Sequence, residues 1–355
     1  MGGLVKYNRT FSGKKVFLTG DSGFKGSWLA LWLNELGADV TGYSLPPRTE
    51  NDNYVASRVG DIIRHFDGDI RDSSSLQAAV SASSPEYIFH LAAQPLVRVS
   101  YRDPKTTFDT NVGGAVNLLE AARKCPTLRS IVFVTSDKCY RNREWVWGYK
   151  ETDELGGHDP YSGSKAAAEV VFNSYLESFF LPSERVGAAS VRAGNVIGGG
   201  DWSEDRIVPD SIRGLSAYGR ITLRNPRSTR PWQHVLEPLS GYLLLALRLH
   251  DQPPEYSGAW NFGPESNSFR TVEDLAQEIV KNWKGGVVEV MEEQNAPHES
   301  RLLHLNCDKA RQLLGWTPRW TFEHAVSRTV EWYKAANKAE VTVAQIREYM
   351  GQIND

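Results

Sequence analysis

Residues 14–26, KKVFLTGDSGFKG, decide the fold of this 355-residue chain. The apolar run predicts a short buried strand that ends at Gly20, and a helical stripe of apolar side chains follows the turn. Gly20 permits the tight turn, Gly23 lets the backbone approach a ligand, and Gly26 allows the helix to lie close to the strand. Strand, glycine turn and helix in this order are the context in which a helix N-terminus binds the pyrophosphate of a dinucleotide. A glycine-rich loop that only closes a turn is the alternative.

The next strand bears on which dinucleotide is bound. Residues 39–44, DVTGYS, predict this strand. A cofactor without a 2′-phosphate is expected to meet an acidic residue about 20 residues after the glycines. Ser44 stands at that place, and Arg48 follows it closely. Because an arginine can accommodate a 2′-phosphate, the pattern leaves NAD and NADP open.

A proton-handling cluster is predicted further along the chain. The β-rich run 132–138, VFVTSDK, ends in a hydroxyl, a carboxylate and an amine, and a Tyr-x-x-x-Lys motif begins at Tyr161. This spacing puts Tyr161 and Lys165 on one helical face, where the positive charge is expected to lower the pKa of the phenol. Catalysis needs that, because a free phenol titrates at about pH 10. The cluster consists of Ser136, Asp137, Lys138, Tyr161 and Lys165.

Composition excludes several classes of function. The chain is 41% hydrophobic and 23% charged with a net charge of −3, which gives no electrostatic reason to bind nucleic acid or a membrane surface. The sequence has no apolar run of membrane-spanning length and no apolar signal-peptide core, which predicts a cytoplasmic protein. Three cysteines without paired spacing argue against a disulfide framework or a zinc site, and no metal is predicted.

The glycine turn, the strand-terminal serine and the Tyr-x-x-x-Lys helix, in that order, resemble the extended short-chain dehydrogenase/reductase family. The resemblance covers roughly residues 14–335 and implies an α/β fold: a Rossmann-type doubly wound parallel sheet with a smaller α/β substrate-binding lobe. It implies an NAD-binding domain at residues 1–190 with returning segments near 232–263. It also implies a nucleotide-sugar domain at residues 191–231 and 264–355.

The same resemblance implies NAD as the cofactor and assigns residues to it. Asp69 and Ile70 resemble a dipeptide that contacts adenine, although Asp69 is also suited to the start of the following helix. Asn111 resembles an asparagine that steadies the strand carrying the catalytic serine. The residues implied to bind the cofactor are Gly20, Gly23, Phe24, Gly26, Ser44, Asp69, Ile70, Ala92, Ala93, Gln94 and Asn111.

Within this family the residues after the serine decide the reaction. Members that dehydrate dTDP-glucose or GDP-mannose carry Asp-Glu or a lone Glu there, whereas Asp137-Lys138 and the run 198–202, GGGDW, are similar to members that act on CDP-glucose. This implies a 4,6-dehydratase in which Tyr161 takes the C4 hydroxyl proton and Asp137 protonates the departing C6 hydroxyl. Lys138 is either the base for the C5 proton or an ion-pair partner of Asp137.

The second half of the chain is rich in arginine, whose fork suits phosphate oxygens. By alignment with the family motifs, Arg230 and Arg301 are expected to hold the substrate diphosphate. Asn195 is expected to donate to it, and Arg206 is expected to lie near the phosphate or the ribose.

Two helices, 106–123 and the one after Tyr161, are apolar over more than one stripe. They either lie deep in the sheet packing or form the contact face of a homodimer or homotetramer, and the second interpretation is favoured. A helix with Phe322, Val326 and Val330 in phase is expected to end the ordered chain.

Other functions stay open at this point. A nucleotide-sugar 4-epimerase or reductase shares every motif except the Asp137-Lys138 pair, and a 4,6-dehydratase acting on another nucleotide hexose is the other alternative. A dinucleotide sensor without catalysis would keep the fold, but the intact serine, tyrosine and lysine argue against it.

Overall fold

Strands and helices alternate from the glycine turn onward. The structure, a computed structural model, describes residues 10–265, 269–291 and 302–354. The strands are β1 (Lys15–Thr19), β2 (Asp39–Ser44), β3 (Arg64–Asp67), β4 (Tyr87–His90), β5 (Ser130–Val134), β6 (Gly187–Arg192), β7 (Val196–Ile197), β8 (Arg220–Leu223), β9 (Thr229–Arg230), β10 (Gln233–His234), β11 (Gly258–Asn261), β12 (Arg270–Thr271) and β13 (Val287–Val290).

The α-helices between them are α1 (Phe24–Glu35), α2 (Asn53–Ala56), α3 (Ser73–Ser83), α4 (Val97–Arg102), α5 (Pro104–Phe108), α6 (Gly114–Arg123), α7 (Pro160–Tyr175), α8 (Leu181–Ser183), α9 (Ile207–Tyr218), α10 (Leu236–Asp251), α11 (Pro253–Tyr256), α12 (Val272–Trp283), α13 (Phe322–Lys334) and α14 (Lys338–Asn354). Short 3₁₀ turns lie at Val59–Asp61 and Asp137–Cys139, and π-helical turns lie at Asp109–Gly113, Leu176–Phe180 and Ala310–Leu314.

Seven strands form one parallel sheet in the order β11-β6-β5-β4-β1-β2-β3. β1 pairs with β2 on one side and with β4 on the other, so that Val16 lies opposite both Val40 and Tyr87. The chain therefore winds outward in both directions from β1. In a doubly wound sheet, ligands bind beyond the carboxyl ends of the strands at this switch point. The predicted Rossmann-type α/β fold is confirmed.

Both faces of the sheet are covered by helices. β5 and β6 are buried at every position, as continuous runs in a parallel sheet require. α1 packs on one face through Trp28 and Trp32. On the other face, α3, α6 and α7 contribute Leu76, Leu118 and Phe172. This packing fixes the ends of β1, β4 and β5, where the predicted site lies.

The second half of the chain forms small paired strands beside the sheet. β13 pairs with β8 in parallel, and β12 pairs with β9 in antiparallel orientation. β11 returns to the edge of the main sheet beside β6, and α10 packs against β5 and β6. The division of the chain into two domains stays a prediction, and these pairings support it.

The C-terminal end differs from the expectation. The helix expected to be the last, α13, is followed by α14. Ile346 and Tyr349 of α14 are fully buried, and so is Thr342. Because the inward face of α14 mixes polar and apolar side chains, its hydrophobic period is weak, and the sequence pattern misses it.

Several apolar side chains of the two wide-faced helical regions are exposed. Phe108 is 40% exposed, Val170 is 57% exposed and Phe179 is 45% exposed. The interpretation that these helices lie deep in the sheet packing is therefore wrong for these three side chains. The alternative, a contact face between subunits, stays a prediction.

Candidate active site

The glycine turn borders a cavity of about 1370 Å³ at the carboxyl ends of the central strands. Gly20 has φ +77°, and a Cβ there would lie 2.7 Å from the Ala92 amide nitrogen. A Cβ at Gly26 would lie 2.0 Å from the Gly20 carbonyl oxygen, so α1 begins in contact with the end of β1. Gly23 precedes α1 without a side-chain cap, which leaves the first N–H groups of the helix available to an anion.

The close approach at Gly26 gives a test of this turn. Gly26→Ala is expected to destabilise the fold by about 1–3 kcal/mol, because the added methyl group must push α1 away from the Gly20 carbonyl. Dinucleotide affinity is expected to fall with it. Thermal unfolding and a calorimetric titration measure the two effects.

Gly113→Ala is the matched control. Gly113 has helical backbone angles, and a Cβ there would meet nothing within 4 Å. This variant is expected to be neutral or slightly stabilising. Equal stability of the two alanine variants would show that the contact at Gly26 does not constrain the turn.

Hydroxyl groups occupy the position where an acid is expected after β2. The Ser44 Oγ donates to the Ser22 Oγ at 2.8 Å, and the Ser22 amide donates to the Ser44 Oγ at 3.3 Å. Asp69 lies on the same cavity, where its carboxylate accepts from the Arg71 Nε at 2.9 Å. This ion pair lowers the pKa of Asp69. The Asp69 carboxylate at this part of the cavity is thus already paired.

Asn111 connects two elements of the site. Its Oδ1 accepts from the Gln94 amide at 2.8 Å, and its Nδ2 donates to the Ser164 Oγ at 2.8 Å. These bonds join the segment after β4 to α7, rather than acting on the strand that carries Ser136. Of the residues predicted to bind the cofactor, all except Asn111 line the cavity.

The predicted proton-handling cluster comes together at the end of β5. All five of its residues line the cavity, and four of them are at most 7% exposed: Ser136, Asp137, Tyr161 and Lys165. The Ser136 Oγ donates to the Asp137 Oδ1 at 2.9 Å, and it also hydrogen-bonds Tyr161. Asp159 caps α7 by accepting from the Ser162 amide at 2.9 Å, which fixes the helix turn that carries Tyr161.

Burial decides the proton affinities in this cluster, and it overturns one expectation. Burial raises the pKa of Tyr161 to about 12, and the hydrogen bond with Ser136 offsets only part of this. Burial also lowers the pKa of Lys165 to about 8. The predicted lowering of the Tyr161 pKa is therefore wrong for this structure, because burial disfavours the charged forms of both side chains.

Asp137 has the properties of an acid that keeps its proton. Burial raises its pKa, although the nearby charge of Lys138 and the bond from Ser136 act in the opposite direction. The carboxyl packs directly on Gly194, where an added Cβ would lie 2.0 Å from the Asp137 Oδ2. A carboxyl with a raised pKa beside a substrate cavity is suited to protonating a departing hydroxyl.

A buried ion pair that the sequence analysis missed lies beneath the cluster. Glu169, one turn after Lys165 on α7, accepts from the Arg192 Nη2 at 2.8 Å, and both side chains are 3% exposed. The Glu169 carboxylate also accepts from the Thr135 and Ser190 hydroxyls, so it ties α7 to β5 and β6. The sequence does contain one indication of this ion pair, because Glu169 is a charged residue inside the apolar run of α7.

The loop at residues 198–202, GGGDW, joins the two halves of the molecule. The Gly199 carbonyl accepts from the Trp28 Nε1 of α1 at 2.9 Å, and a Cβ at Gly199 would lie 1.9 Å from the Trp332 Cγ of α13. Gly200 has φ +81°, which favours glycine at this position. Each glycine here meets a space or backbone requirement that a larger residue would violate.

This loop also holds Arg206. The Asp201 carboxylate accepts from the Arg206 Nη1 at 2.8 Å, and the Tyr333 hydroxyl donates to the Asp201 carbonyl oxygen at 2.6 Å. Arg206, Asn195 and Arg230 all line the cavity. Arg301 lies outside the described residues.

Arg98 and Arg224 are among the cavity-lining arginines that were not predicted, and they share one acidic partner. Arg98 lies 3.3 Å from the Asp205 Oδ1, and Arg224 lies 3.1 Å from the same oxygen. Their places in the sequence, in α4 and after β8, show no motif that separates them from surface arginines. The fold brings them to the cavity together.

The described residues contain no group of side chains that could hold a metal ion. Among the helices of the described residues, none has the length and apolar character to cross a bilayer.

Fold and site together define a class: short-chain dehydrogenase/reductase proteins of the extended type, with a dinucleotide turn and a serine, tyrosine and lysine at one cavity. More narrowly, the chain belongs to the family described as GDP-mannose 4,6 dehydratase, which matches residues 17–329. It is 47% identical over 348 residues to the CDP-glucose 4,6-dehydratase of Salmonella typhimurium, covering 96% of this chain and 97% of that protein.

Solved structures agree on the fold. A double mutant of dTDP-glucose 4,6-dehydratase from Streptomyces venezuelae, solved with NAD bound, has a TM-score of 0.76 at 22% identity and covers 90% of this chain and 97% of that one. UDP-glucose 4-epimerase from Thermotoga maritima has a TM-score of 0.75 at 22% identity, covering 90% of this chain and 98% of that one. The resemblance inferred from the three motifs is confirmed.

Proposed function

We propose that this protein is an NAD-dependent CDP-glucose 4,6-dehydratase, which converts CDP-D-glucose to CDP-4-keto-6-deoxy-D-glucose. The observation that carries the proposal is the buried Asp137, which lines the same cavity as Ser136 and Tyr161. A 4-epimerase expels no hydroxyl and has no use for an acid at this place. The identity of 47% to the Salmonella enzyme over nearly the whole chain supports CDP-glucose as the substrate.

The residues around the glycine turn fit a dinucleotide. The missing side chains at Gly20 and Gly23 leave the backbone of the turn accessible, and the first N–H groups of α1 lie beside it. Gly20, Gly23, Ser44 and Asp69 border one continuous cavity. A bound NAD would supply a hydride acceptor for C4 of the sugar and a hydride donor for C6. Titration with NAD and NADP tests the choice that Ser44 leaves open.

The side chains of the chain handle the protons. Tyr161 takes the proton of the C4 hydroxyl. The positive charge of Lys165, one helical turn away on α7, stabilises the phenolate form of Tyr161 that accepts this proton. Ser136 and Tyr161 hydrogen-bond the resulting ketone oxygen and stabilise the negative charge that develops as the C5 proton leaves. Asp137 gives its proton to the C6 hydroxyl, which departs as water.

Lys138, in its neutral amine form, is proposed as the base that takes the C5 proton and gives it back to C5 after hydride addition at C6. It lines the cavity next to Asp137 and lowers the pKa of that acid. In the part of the chain that the structure describes, the two side chains do not form an ion pair, so the alternative role as a fixed partner of Asp137 has less support.

Lys138→Met is expected to slow elimination by about 10²-fold while C4 oxidation continues, because only the C5 proton loses its acceptor. Alkaline absorbance of the keto-sugar measures product, and nicotinamide absorbance follows the oxidation. Lys150→Met, at an exposed position, is the control. Normal product formation by the Lys138 variant would contradict the role as base.

The substrate diphosphate is proposed to contact Arg206 and Arg230, with Asn195 as a further donor and Arg301 as a contact predicted from the sequence alone. Arg206 and Arg230 line the same cavity as the glycine turn and come from the second half of the chain. Guanidinium forks of this kind bind phosphate oxygens through paired hydrogen bonds.

We further propose that two subunits associate through the exposed apolar positions of the helical region after β4, of α7 and of the π-helical turn that follows α7. Tyr101, Phe108, Val170 and Phe179 are each at least 40% exposed. A self-complementary face is the usual contact in homodimers. Sedimentation of the wild type and of a Val170→Glu variant tests this, because a monomeric wild type would refute it.

A substrate panel tests the proposed function as a whole. CDP-, dTDP-, UDP- and GDP-glucose are incubated with the enzyme, with and without added NAD. Of the four nucleotide sugars, only CDP-glucose is expected to give a keto-sugar. Conversion of the hexose to its C4 epimer, without a product that absorbs in alkali, would favour the epimerase instead.

A further inference from the structure

The chain between β5 and the cavity is attached to the rest of the fold at both of its ends. We call residues 135–140 the Asp137 segment. It contains three groups of the proton-handling cluster: Ser136, Asp137 and Lys138. At its start, the Thr135 hydroxyl donates to the Glu169 carboxylate of α7. At its end, the Tyr140 hydroxyl accepts from the Arg192 Nη1 at 2.6 Å.

The two attachments meet in one buried ion pair. The Arg192 Nε donates to the Glu169 Oε1 at 2.9 Å, and the Arg192 Nη2 donates to the Glu169 Oε2 at 2.8 Å. Both side chains are 3% exposed. Because Glu169 holds Thr135 and Arg192 holds Tyr140, the two ends of the Asp137 segment are connected through the pair. Neither end can move relative to α7 without breaking a bond to it.

The Tyr140 end has other contacts, but they act on other elements. The Tyr140 hydroxyl donates to the Asn261 Oδ1 of β11 at 2.9 Å. The Gly156 amide donates to the Cys139 carbonyl oxygen at 2.9 Å, which fixes the local path of the backbone. The bond from Arg192 is the one that ties this end to α7 through the ion pair.

The ion pair therefore joins the two halves of the proton-handling cluster. Glu169 lies one helical turn after Lys165 on α7, the helix that also carries Tyr161. Asp137 lies on the attached segment. In the proposed reaction, Tyr161 serves the oxidation at C4 and Asp137 serves the elimination at C6. The place of one group relative to the other depends on how the Asp137 segment is fixed to α7.

The pair itself lies behind the site. Thr135 and Tyr140 are among the described residues that line the cavity, whereas Glu169 and Arg192 are not. A buried ion pair adds little stability compared with apolar side chains of similar volume, because both charges lose their hydration. Stability alone is thus a poor explanation for this pair, and a role in fixing the geometry of its neighbours explains it better.

We infer that Glu169 and Arg192 are positioning residues that fix Asp137 relative to Tyr161. They act through the two ends of the Asp137 segment. The inference rests on the proposed function, because it concerns the elimination step of that reaction. It predicts that loosening the Tyr140 end harms elimination more than oxidation.

Tyr140→Phe tests this by removing one attachment while the ion pair stays in place. The 3₁₀ turn with Asp137 and Lys138 lies next to Tyr140, whereas Ser136 stays beside the Thr135 attachment. Elimination is expected to slow by about 10- to 100-fold, and oxidation at C4 is expected to stay within about threefold of wild type, because only the displaced groups lose their alignment. In a single turnover with CDP-glucose, reduced nicotinamide should accumulate and then decay slowly as keto-sugar forms.

Arg192→Lys tests the other partner of this attachment. It keeps a positive charge beside Glu169, but one amine replaces the fork that bonds both Glu169 and Tyr140. Elimination is expected to slow by a similar factor. The double variant with Tyr140→Phe should be no slower than the slower single variant, because both changes cut the same attachment. Losses that multiply would overturn the inference, since Tyr140 would then act independently of Arg192.

A crystal structure of Tyr140→Phe decides the matter even if Arg192→Lys does not fold. Asp137 is expected to be displaced relative to Tyr161. Slow elimination with Asp137 in its wild-type place would overturn the inference, because the Tyr140 hydroxyl would then act on the sugar directly. Tyr87→Phe is the matched control: Tyr87 is 2% exposed, starts β4 and is not among the described residues that line the cavity.

A failure of the proposed function appears in wild type rather than in the variants. If wild type forms the C4 epimer, or forms no keto-sugar from any of the four nucleotide glucoses, the proposed function and the inference are both refuted. If wild type prefers a glucose nucleotide other than CDP-glucose, the same comparison is made with that sugar. If wild type forms keto-sugar and Tyr140→Phe keeps the wild-type ratio of elimination to oxidation, only the inference is refuted.

Discussion

Tyr161→Phe is expected to lower turnover of CDP-glucose by about 10³- to 10⁴-fold, because the variant lacks the group that takes the C4 hydroxyl proton. Without that transfer the ketone does not form, and neither elimination nor hydride return can begin. The loss should therefore appear in nicotinamide absorbance as well as in product formation. Single-turnover measurements with both readouts distinguish this from a block at a later step.

The fold is expected to survive this substitution. Phenylalanine fills nearly the same volume, and the Ser136 hydroxyl keeps its bond to Asp137 at 2.9 Å. Tyr218→Phe, at a position 77% exposed on α9, is the matched control. A Tyr161 variant that retained a tenth of wild-type turnover would show that the phenol is not the acceptor of the C4 proton.

Asp137→Asn is expected to lower product formation by about 10³-fold while the earlier steps continue. Asparagine has the shape of the carboxylate and fits against Gly194, but it has no acidic proton for the C6 hydroxyl. With NAD as the hydride acceptor, the only side chains that oxidation at C4 and loss of the C5 proton need are those of Tyr161, Ser136 and Lys138. Solvent deuterium should therefore enter C5 of recovered CDP-glucose in the variant.

The pH dependence gives a second test of Asp137. Burial raises its pKa, so the acid keeps its proton to higher pH than an ordinary carboxyl. Elimination by wild type is expected to fall as the pH rises through that raised value, and the fall should be absent from the residual rate of Asp137→Asn. Asp251→Asn, at an exposed position, is the control. Wild-type elimination by the Asp137 variant would show that another group protonates the departing C6 hydroxyl.

The elements that the sequence predicts correctly are those that short, local sequence patterns define. The strand into Gly20, the strand that ends at Ser44 and the helix that carries Tyr161 and Lys165 each follow from a short period or a turn residue. The three motifs of the resemblance lie on these elements. The sheet order then brings them to one cavity.

The features that sequence misses depend on distant contacts. The pKa of Tyr161 rises because the cavity is closed around it, which no spacing of residues records. Glu169 meets Arg192 only because α7 packs on β6.

The loop that carries Gly199 and Asp201 links the C-terminal helices to the chemistry. Trp332 fills the space over Gly199, and the Trp332 Nε1 donates to Thr342 of α14 at 2.8 Å. Tyr333 holds Asp201, which in turn orients Arg206. A truncation or a rigid fusion at the C-terminus is therefore expected to disturb the position of Arg206 at the substrate site, although the change itself is made far from that site.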